Sequence, residues 1–135
     1  MVSRKKTRAR GFTLIELMIV ISIILILLSI SVPMYNQSIL RAREAVLRQD
    51  LYTMRQAIDQ YTLDKLRGPQ SLDDLVSSGY LREVPADPFT NRRDSWVVVQ
   101  EEDVVLSPEQ TQPGITDVRS GADQTSSDGT AYSSW

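Results

Sequence analysis

The chain has 135 residues, no cysteine and no histidine, and its formal net charge is −2. These absences exclude a disulfide framework and catalysis by Ser-His-Asp or Cys-His groups, and we expect no enzymatic activity. Five of the 15 cations lie in the first ten residues, which hold no acid, so 10 cations and 17 acids remain for the rest of the chain. An acidic remainder argues against nucleic-acid binding.

A long apolar segment follows the basic start of the chain. Residues 12–34 are 23 in number. A helix over them spans about 34 Å, enough to cross a bilayer. The segment is too long for the apolar part of a secretory signal peptide, and no A-x-A-like site follows it. Because cations favour the cytoplasmic side, we expect a single-pass protein with a cytoplasmic N-terminus. Pro33 either kinks the helix or marks the membrane boundary.

Glu16 is the one acidic residue in this apolar segment. A carboxylate deep in a bilayer costs about 2.5–3.5 kcal/mol, so its presence indicates a partner. If the chain is cut between Gly11 and Phe12, the new amino group of Phe12 lies one helical turn from Glu16. The two charges can then pair within one chain or between neighbouring chains. In the alternative, Glu16 lies at the membrane interface and is favoured by the helix dipole.

Residues 11–16, Gly-Phe-Thr-Leu-Ile-Glu, resemble the class III leader junction of type IV pilins and type II secretion pseudopilins. The resemblance implies that a prepilin peptidase cleaves after Gly11 and that the new amino group of Phe12 is methylated. It also implies a homopolymer assembled through the N-terminal helix, which favours an intersubunit role for Glu16 and leaves open whether its partner is Phe12 of its own chain or of a neighbouring chain. Pro33 falls where this family commonly carries a proline, so it joins the candidate assembly residues.

A second helical pattern continues from the apolar segment to a break at Gly68-Pro69. Five apolar residues spaced 4, 3, 4 and 3 apart form one helical stripe: Leu47, Leu51, Met54, Ile58 and Tyr61. The pattern predicts a single helix from about Thr13 to Leu66, apolar in its first half and amphipathic in its second. We expect the stripe to form core with a C-terminal body, with a two-stranded coiled coil as the alternative.

Short elements are predicted in the remainder. Ser71 before Leu72-Asp73-Asp74 is typical of a helix N-cap, and Gly79 can end that helix. Strand patterns lie at 96–100, at 104–106 as its hairpin partner, and at 115–119. The predicted fold is α+β and pilin-like: one long N-terminal helix, transmembrane in its first half, packs its second half on a small body with a short helix and a small antiparallel sheet. The predicted divisions are a cleaved basic leader at 1–11 and an apolar transmembrane and filament-core helix at 12–34. The amphipathic continuation of the helix follows at 35–67, and a globular body with the C-terminal loop at 68–135.

Residues 79–89, Gly-Tyr-Leu-Arg-Glu-Val-Pro-Ala-Asp-Pro-Phe, are similar to the GYL…P.DP(W/F) segment of the major pseudopilins of type II secretion. The lack of cysteine disfavours the major type IVa pilins, which typically close their C-terminal loop with a disulfide. The resemblance implies a subunit of a periplasmic pseudopilus that is anchored in the bacterial inner membrane and drives protein export. Its implied partners are minor pseudopilins and an inner-membrane assembly platform.

Two other functions stay open at this point. One is a subunit of a type IV or competence pilus. The other is a membrane-anchored periplasmic binding module that does not polymerise.

The tail, residues 117–129, is rich in aspartate, serine, threonine and glycine. This composition fits a flexible loop or a calcium loop, because calcium takes about six to eight oxygen ligands. Residues 120–123, Ser-Gly-Ala-Asp, resemble the LGAD segment of type II major pseudopilins, whose C-terminal loop binds calcium, and this implies calcium as a cofactor. The ligands we expect are the side chains of Asp123 and Asp128 and the carbonyl of Ser120.

Asp117 is expected to end the preceding strand instead of binding calcium. The aromatic residues Tyr132 and Trp135 at the end of the tail predict that it docks on the body.

Overall fold

The longest element is helix α1, Leu14–Lys65, of 52 residues. The structure is a computed structural model that describes residues 11, 13–101, 108 and 112–135. Thr13 caps the start of α1, because its Oγ1 accepts a hydrogen bond from the Glu16 amide at 3.3 Å. Leu66 follows the helix with a φ of 54°, the left-handed conformation that commonly ends helices. The single long helix predicted from the sequence is confirmed.

The chain divides into two units, one ending at Ser38 and one running from Ile39 to Trp135. In the first unit, the large apolar side chains between Leu14 and Met34 are exposed. The helix is long and apolar enough to cross a membrane, by length and composition. The hydroxyls of Ser22 and Ser29 donate to carbonyls of the preceding turn, which satisfies them without water.

The core of the second unit is built on the helical stripe predicted from the sequence. All five stripe residues are buried: Leu47, Leu51, Met54, Ile58 and Tyr61. They pack with side chains from the rest of the unit, chiefly Leu75, Leu81, Trp96, Ile115, Val118 and Tyr132. Burying a large apolar side chain contributes about 1.5–3 kcal/mol, so this stripe fastens the body to α1. The stripe is core, as predicted, and is covered by the chain itself and not left for a coiled coil.

Helix α2, Leu72–Ser77, begins at the predicted N-cap. The Ser71 hydroxyl accepts a hydrogen bond from the Asp74 amide at 3.3 Å, and the Asp74 carboxylate accepts one from the Ser71 amide at 3.2 Å. This reciprocal capping box satisfies amides that the first helical turn leaves without partners. Gly79 follows the helix with a φ of 83°, a conformation that favours glycine.

Strands β1, Val97–Gln100, and β2, Ile115–Arg119, form a two-stranded antiparallel sheet. Val98 pairs with Val118, and the register shifts after Val99. Both strands match predicted ones, whereas the predicted hairpin partner at 104–106 lies outside the described residues. The predicted α+β fold of one long helix, one short helix and a small antiparallel sheet is confirmed.

A glycine pair sets the sheet beside the chain segment that follows α1. A Cβ on Gly68 would lie 2.8 Å from the Cα of Gly114, which is too close for any side chain. This approach allows the Ile115 amide to donate to the Pro69 carbonyl at 2.8 Å. The start of β2 is therefore held directly against the segment that follows α1.

Candidate functional site

The start of α1 carries the first candidate site. Glu16 is exposed, and its carboxylate makes no hydrogen bond or ion pair with any residue that the structure describes. Thr13 and Glu16 also fit the Thr-x-x-Glu capping-box pattern, which the sequence reasoning missed, although only the Thr13 half is formed among the described contacts. Phe12 lies outside the described residues, so the pairing of Glu16 with Phe12 stays a prediction.

Pro33 lies inside α1, which continues through it. Because proline has no amide hydrogen, the Ser29 carbonyl one turn earlier lacks its usual helical donor. The leader-processing role of Gly11 and the assembly role of Pro33 stay predictions.

The second candidate site is the C-terminal loop, defined here as residues 120–135. Its tip is a tight turn in which the Ser126 amide donates to the Thr130 carbonyl at 2.7 Å. Gly129 takes a φ of 86° in this turn, a conformation that favours glycine. The loop ends in a short 3-10 turn, Tyr132–Ser134.

A buried acidic side chain of α1, Glu44, meets this loop. Its carboxylate accepts hydrogen bonds from the Ser127 amide and the Ser127 hydroxyl, both at 2.8 Å, and from the Tyr132 hydroxyl at 2.9 Å. Burial by itself raises the pKa of Glu44, but these three hydrogen bonds and the charge of Arg48 lower it to below its ordinary value. The folded protein therefore favours the ionised carboxylate.

Tyr132 anchors the end of the loop in the core, where it is fully buried. Its ring stacks on Phe89 with centroids 3.9 Å apart and meets the Trp135 ring edge-on at 5.0 Å. The guanidinium of Arg48 lies over the Trp135 ring, 4.4 Å from its centroid. Burial, followed by the contact with Glu44, raises the pKa of Tyr132 to about 12. The prediction that the aromatic tail docks on the body is confirmed.

Arg55 joins the loop to the sheet. Its Nε donates to the Asp117 carboxylate at 2.7 Å, and its terminal nitrogen donates to the Val118 carbonyl at 3.0 Å and to the Trp135 carbonyl. Asp117 lies inside β2 and does not end the strand as expected, because β2 continues to Arg119. The Arg55 pairing explains why a charged residue is tolerated within the strand.

Ser120, a predicted calcium ligand, lies on a buried carboxylate instead of at the loop tip. Its hydroxyl donates to the fully buried Asp87 at 2.5 Å. The other Asp87 oxygen accepts hydrogen bonds from the Phe89 amide at 2.8 Å and the Thr90 amide at 3.4 Å. The pKa of Asp50, on α1, is raised first by its own burial and then by the negative charge of Asp87. Ser120 and Asp87 thus fasten the base of the loop.

The two predicted side-chain ligands of calcium are placed as follows. Asp123 is exposed, and Asp128 accepts a hydrogen bond from Arg48 at 3.4 Å. Within the described part of the chain, no three acidic side chains are grouped as metal ligands. These side chains do not by themselves make a calcium-ligand set, and an ion there would compete with Arg48 for Asp128. The calcium site stays a prediction.

Sequence reasoning missed Glu44, Arg55 and Asp87. A signal for Glu44 was present, because it lies three residues before Leu47 and so extends the apolar stripe. An acid on a buried helix face indicates a polar partner, since buried polar groups are almost always hydrogen-bonded. Arg55 has no such signal, because its contacts to β2 are 62 and 63 residues away along the chain.

Comparisons with known proteins agree with this architecture. A family model described as prokaryotic N-terminal methylation motif matches residues 6–32. Type II secretion system core protein G of Aeromonas hydrophila is 35% identical over 103 residues, which cover 64% of this chain and 72% of that protein. The protein of the same name from Escherichia coli (strain K12) is 36% identical over 106 residues, covering 65% and 72%.

A relative from a different system is similar over a shorter stretch. Type IV major fimbrial protein FimA of Dichelobacter nodosus is 43% identical over 76 residues, which cover 56% of this chain and 49% of that protein. No solved structure matches the chain.

The methylation motif and the α+β fold with its long N-terminal helix define a pilin-like structural protein. Within that class, the chain belongs to the family of type II secretion system core protein G, the major pseudopilin. The family resemblance drawn from the sequence is confirmed.

Proposed function

We propose that this chain is a structural subunit that polymerises through its N-terminal helix into a periplasmic pseudopilus and drives protein export by type II secretion. The observation that carries this proposal is the apolar first part of α1, whose large side chains are exposed. An exposed apolar helix of this length needs lipid before assembly and neighbouring helices after it. Membership of the core protein G family supports the same role.

Assembly begins with processing of the leader. A prepilin peptidase cleaves after Gly11, and the new amino group of Phe12 is methylated; the methylation-motif match over residues 6–32 supports both steps. The intact mass of the protein purified from cells tests this directly. We expect a chain that starts at methylated Phe12, and a chain that retains Met1 would contradict the processing class.

Glu16 selects the register between subunits. Its carboxylate is exposed among apolar side chains and has no partner in the described part of the chain. In a filament core, an unpaired carboxylate and an unpaired ammonium are each expensive, and pairing them offsets much of both penalties. The amino group of Phe12 in a neighbouring chain is the partner that satisfies both groups.

The variant Glu16→Gln tests this role, because it removes the charge and keeps the shape. We expect a processed, membrane-inserted and folded protein that assembles poorly, measured by cross-linking between subunits and by export of a secreted reporter. Glu83→Gln is the matched control, because Glu83 is exposed and forms an ion pair with Arg93 at 2.7 Å. Among the residues that the structure describes, Glu83 has no other ion-pair partner. Intact function of Glu16→Gln, with no cross-links between subunits in either the variant or the unsubstituted protein, would instead support a membrane-anchored binding module that does not polymerise.

The proposed role also implies the location of the chain and its partner proteins. The chain is inserted once in the bacterial inner membrane with its basic end in the cytoplasm, and its partners are minor pseudopilins and an inner-membrane assembly platform. The mechanical work of assembly comes from an assembly ATPase and the platform proteins, and not from chemistry of the subunit itself. Cross-linking in cells from the body of the subunit to platform proteins tests these contacts.

A type IV or competence pilus subunit is the second candidate, favoured by the similarity to FimA over 76 residues. Deletion of the chain separates the two functions. Loss of an exported protein with no change in surface fibres by electron microscopy supports the pseudopilus, and loss of surface fibres supports the pilus.

A further inference from the structure

The C-terminal loop contacts the Glu44 side chain of α1. Each described hydrogen bond at this point runs from the loop to the carboxylate: two from Ser127 at 2.8 Å and one from Tyr132 at 2.9 Å. Glu44 is 5% exposed, and no cation among the described residues lies within ion-pair distance of it. Burying a carboxylate costs free energy unless it is hydrogen-bonded. The loop supplies the hydrogen-bond donors that offset this cost for Glu44.

The loop presents hydrogen-bond donors at this contact, whereas a cation site presents oxygen ligands. Calcium is held by oxygen atoms that face inward to the ion. The loop tip instead presents one N–H group and two O–H groups to α1. One carboxylate that could bind a cation, that of Asp128, accepts a hydrogen bond from Arg48 instead. The point of closure is therefore built to receive an anionic group.

Further anchors come from the same side of α1. Arg48 and Arg55 follow Glu44 at spacings of 4 and 11 residues, which place all three on one helix face. Arg48 covers the Trp135 ring, and Arg55 donates to the Trp135 carbonyl. One helix face thus holds the tip and the end of the loop with side chains of the chain itself.

We propose that Glu44 holds the C-terminal loop closed in the structural role that a calcium ion or a disulfide would have, so that closure does not require calcium. The chain has no cysteine, so a disulfide is excluded. The carboxylate is covalently part of α1, and closure therefore accompanies folding at any calcium concentration outside the membrane.

The first test uses the full chain in detergent micelles and needs no variant. Hydrogen exchange of the loop amides and the thermal midpoint are measured in millimolar calcium, in equal magnesium and in a calcium chelator. We expect the Ser127 amide to be equally protected, and the thermal midpoint to be equal, in all three. Protection or a thermal midpoint that rises with calcium and not with magnesium would overturn the proposal.

The second test compares variants in the same assay. We expect Glu44→Ala to speed exchange of the Ser127 amide about tenfold or more, with no recovery in calcium, because a hydrogen bond to a charged acceptor is lost. Glu44→Gln should have a smaller effect, since its amide oxygen can accept from the Ser127 amide and the Tyr132 hydroxyl. Asp128→Asn and the surface control Glu83→Ala should leave Ser127 protected.

A different pattern of protection among these variants would contradict the proposal. If Ser127 stays protected in Glu44→Gln but loses protection in Asp123→Asn or Asp128→Asn, the loop is closed by a cation and the proposal is wrong. The comparison of Glu44→Gln with Asp128→Asn decides the matter even if Glu44→Ala does not fold, because both variants keep the size of the side chain.

Discussion

Two glutamates on helix α1 differ in exposure and in hydrogen-bond partners. Glu16 is exposed among apolar side chains and has no partner in the part of the chain that the structure describes. Glu44 is buried and accepts three hydrogen bonds from the loop of its own chain. Their surroundings differ likewise: the apolar side chains near Glu16 are exposed, whereas Leu47 and Leu51, on the turns that follow Glu44, belong to the core.

This difference indicates that Glu44 contributes to folding, whereas the proposed role of Glu16 is in assembly. A buried acid that is satisfied within the chain contributes to the stability of the fold, because its donors would otherwise be left without partners. An exposed acid in an apolar segment has no such donors among the described residues of its own chain, and the proposed partner of Glu16 is a group of a neighbouring chain. Substitutions in the two regions should therefore affect different measurements, and each prediction below tests that separation.

The largest expected effect comes from the core stripe. Leu51→Ala should lower the free energy of unfolding of the body by about 2–5 kcal/mol, because it leaves a cavity at a fully packed position. Leu51 is 2% exposed, whereas Leu25 in the apolar segment is 60% exposed. Leu25→Ala should leave the urea unfolding curve of the body unchanged and weaken assembly. An equal loss of stability in both variants would show that the two regions are not separate.

The pair of glutamates gives the next largest effect. Glu44→Ala should lower the free energy of unfolding by about 2–3 kcal/mol, because the Ser127 amide and the Tyr132 hydroxyl lose their acceptor. Glu16→Ala should change it by less than about 0.5 kcal/mol, as is usual for an exposed residue. Urea unfolding followed by tryptophan fluorescence measures both. A Glu16 variant as unstable as the Glu44 variant would contradict the assignment of Glu16 to assembly.

Arg55 is partly exposed, so its effect should be smaller. Arg55→Ala should cost about 1–2 kcal/mol, since it removes hydrogen bonds to Asp117 and to two carbonyls. The exposed Arg41 provides the control, and Arg41→Ala should leave the thermal midpoint unchanged. Equal thermal midpoints for the two variants would mean that the Arg55 contacts do not hold the loop to the sheet.

The smallest effects are expected from pH. Because the pKa of Glu44 is lowered below its ordinary value of 4.5, its contribution is fully present above that pH. It is lost as the pH falls through the pKa of the folded state. Asp50 has the opposite sign, since its pKa is raised above 3.8 and the folded state disfavours its charge. That penalty is present at neutral pH and is relieved as the pH falls through the raised pKa.

Thermal midpoints across the acidic range separate these two contributions. Relative to the unsubstituted protein, Asp50→Asn should melt slightly higher at neutral pH, and this advantage should vanish below pH 3.8. Glu44→Gln should melt lower at neutral pH, and its deficit should shrink in acid. A lower thermal midpoint for Asp50→Asn at neutral pH would contradict the raised pKa.

Local patterns in the sequence determined the secondary structure and the family. The 4-3 spacing from Leu47 to Tyr61 predicted which face of α1 is buried, because helical periodicity places those residues on one side. Ser71 and Asp74 predicted the start of α2, because a capping box needs only neighbouring residues. The junction at residues 11–16 indicated the pilin-like family for the same reason, since its motif is contiguous.

Only the tertiary structure decided what holds the C-terminal loop. The partners of Glu44 are 83 and 88 residues away along the chain, and that of Ser120 is 33 away. Residue spacing carries no information about contacts at such separations, because they depend on how the body folds back on α1. The sequence marked Glu44 as an acid on a buried face, and the folded chain supplied its donors from Ser127 and Tyr132, because burying that carboxylate is favourable only when such groups surround it.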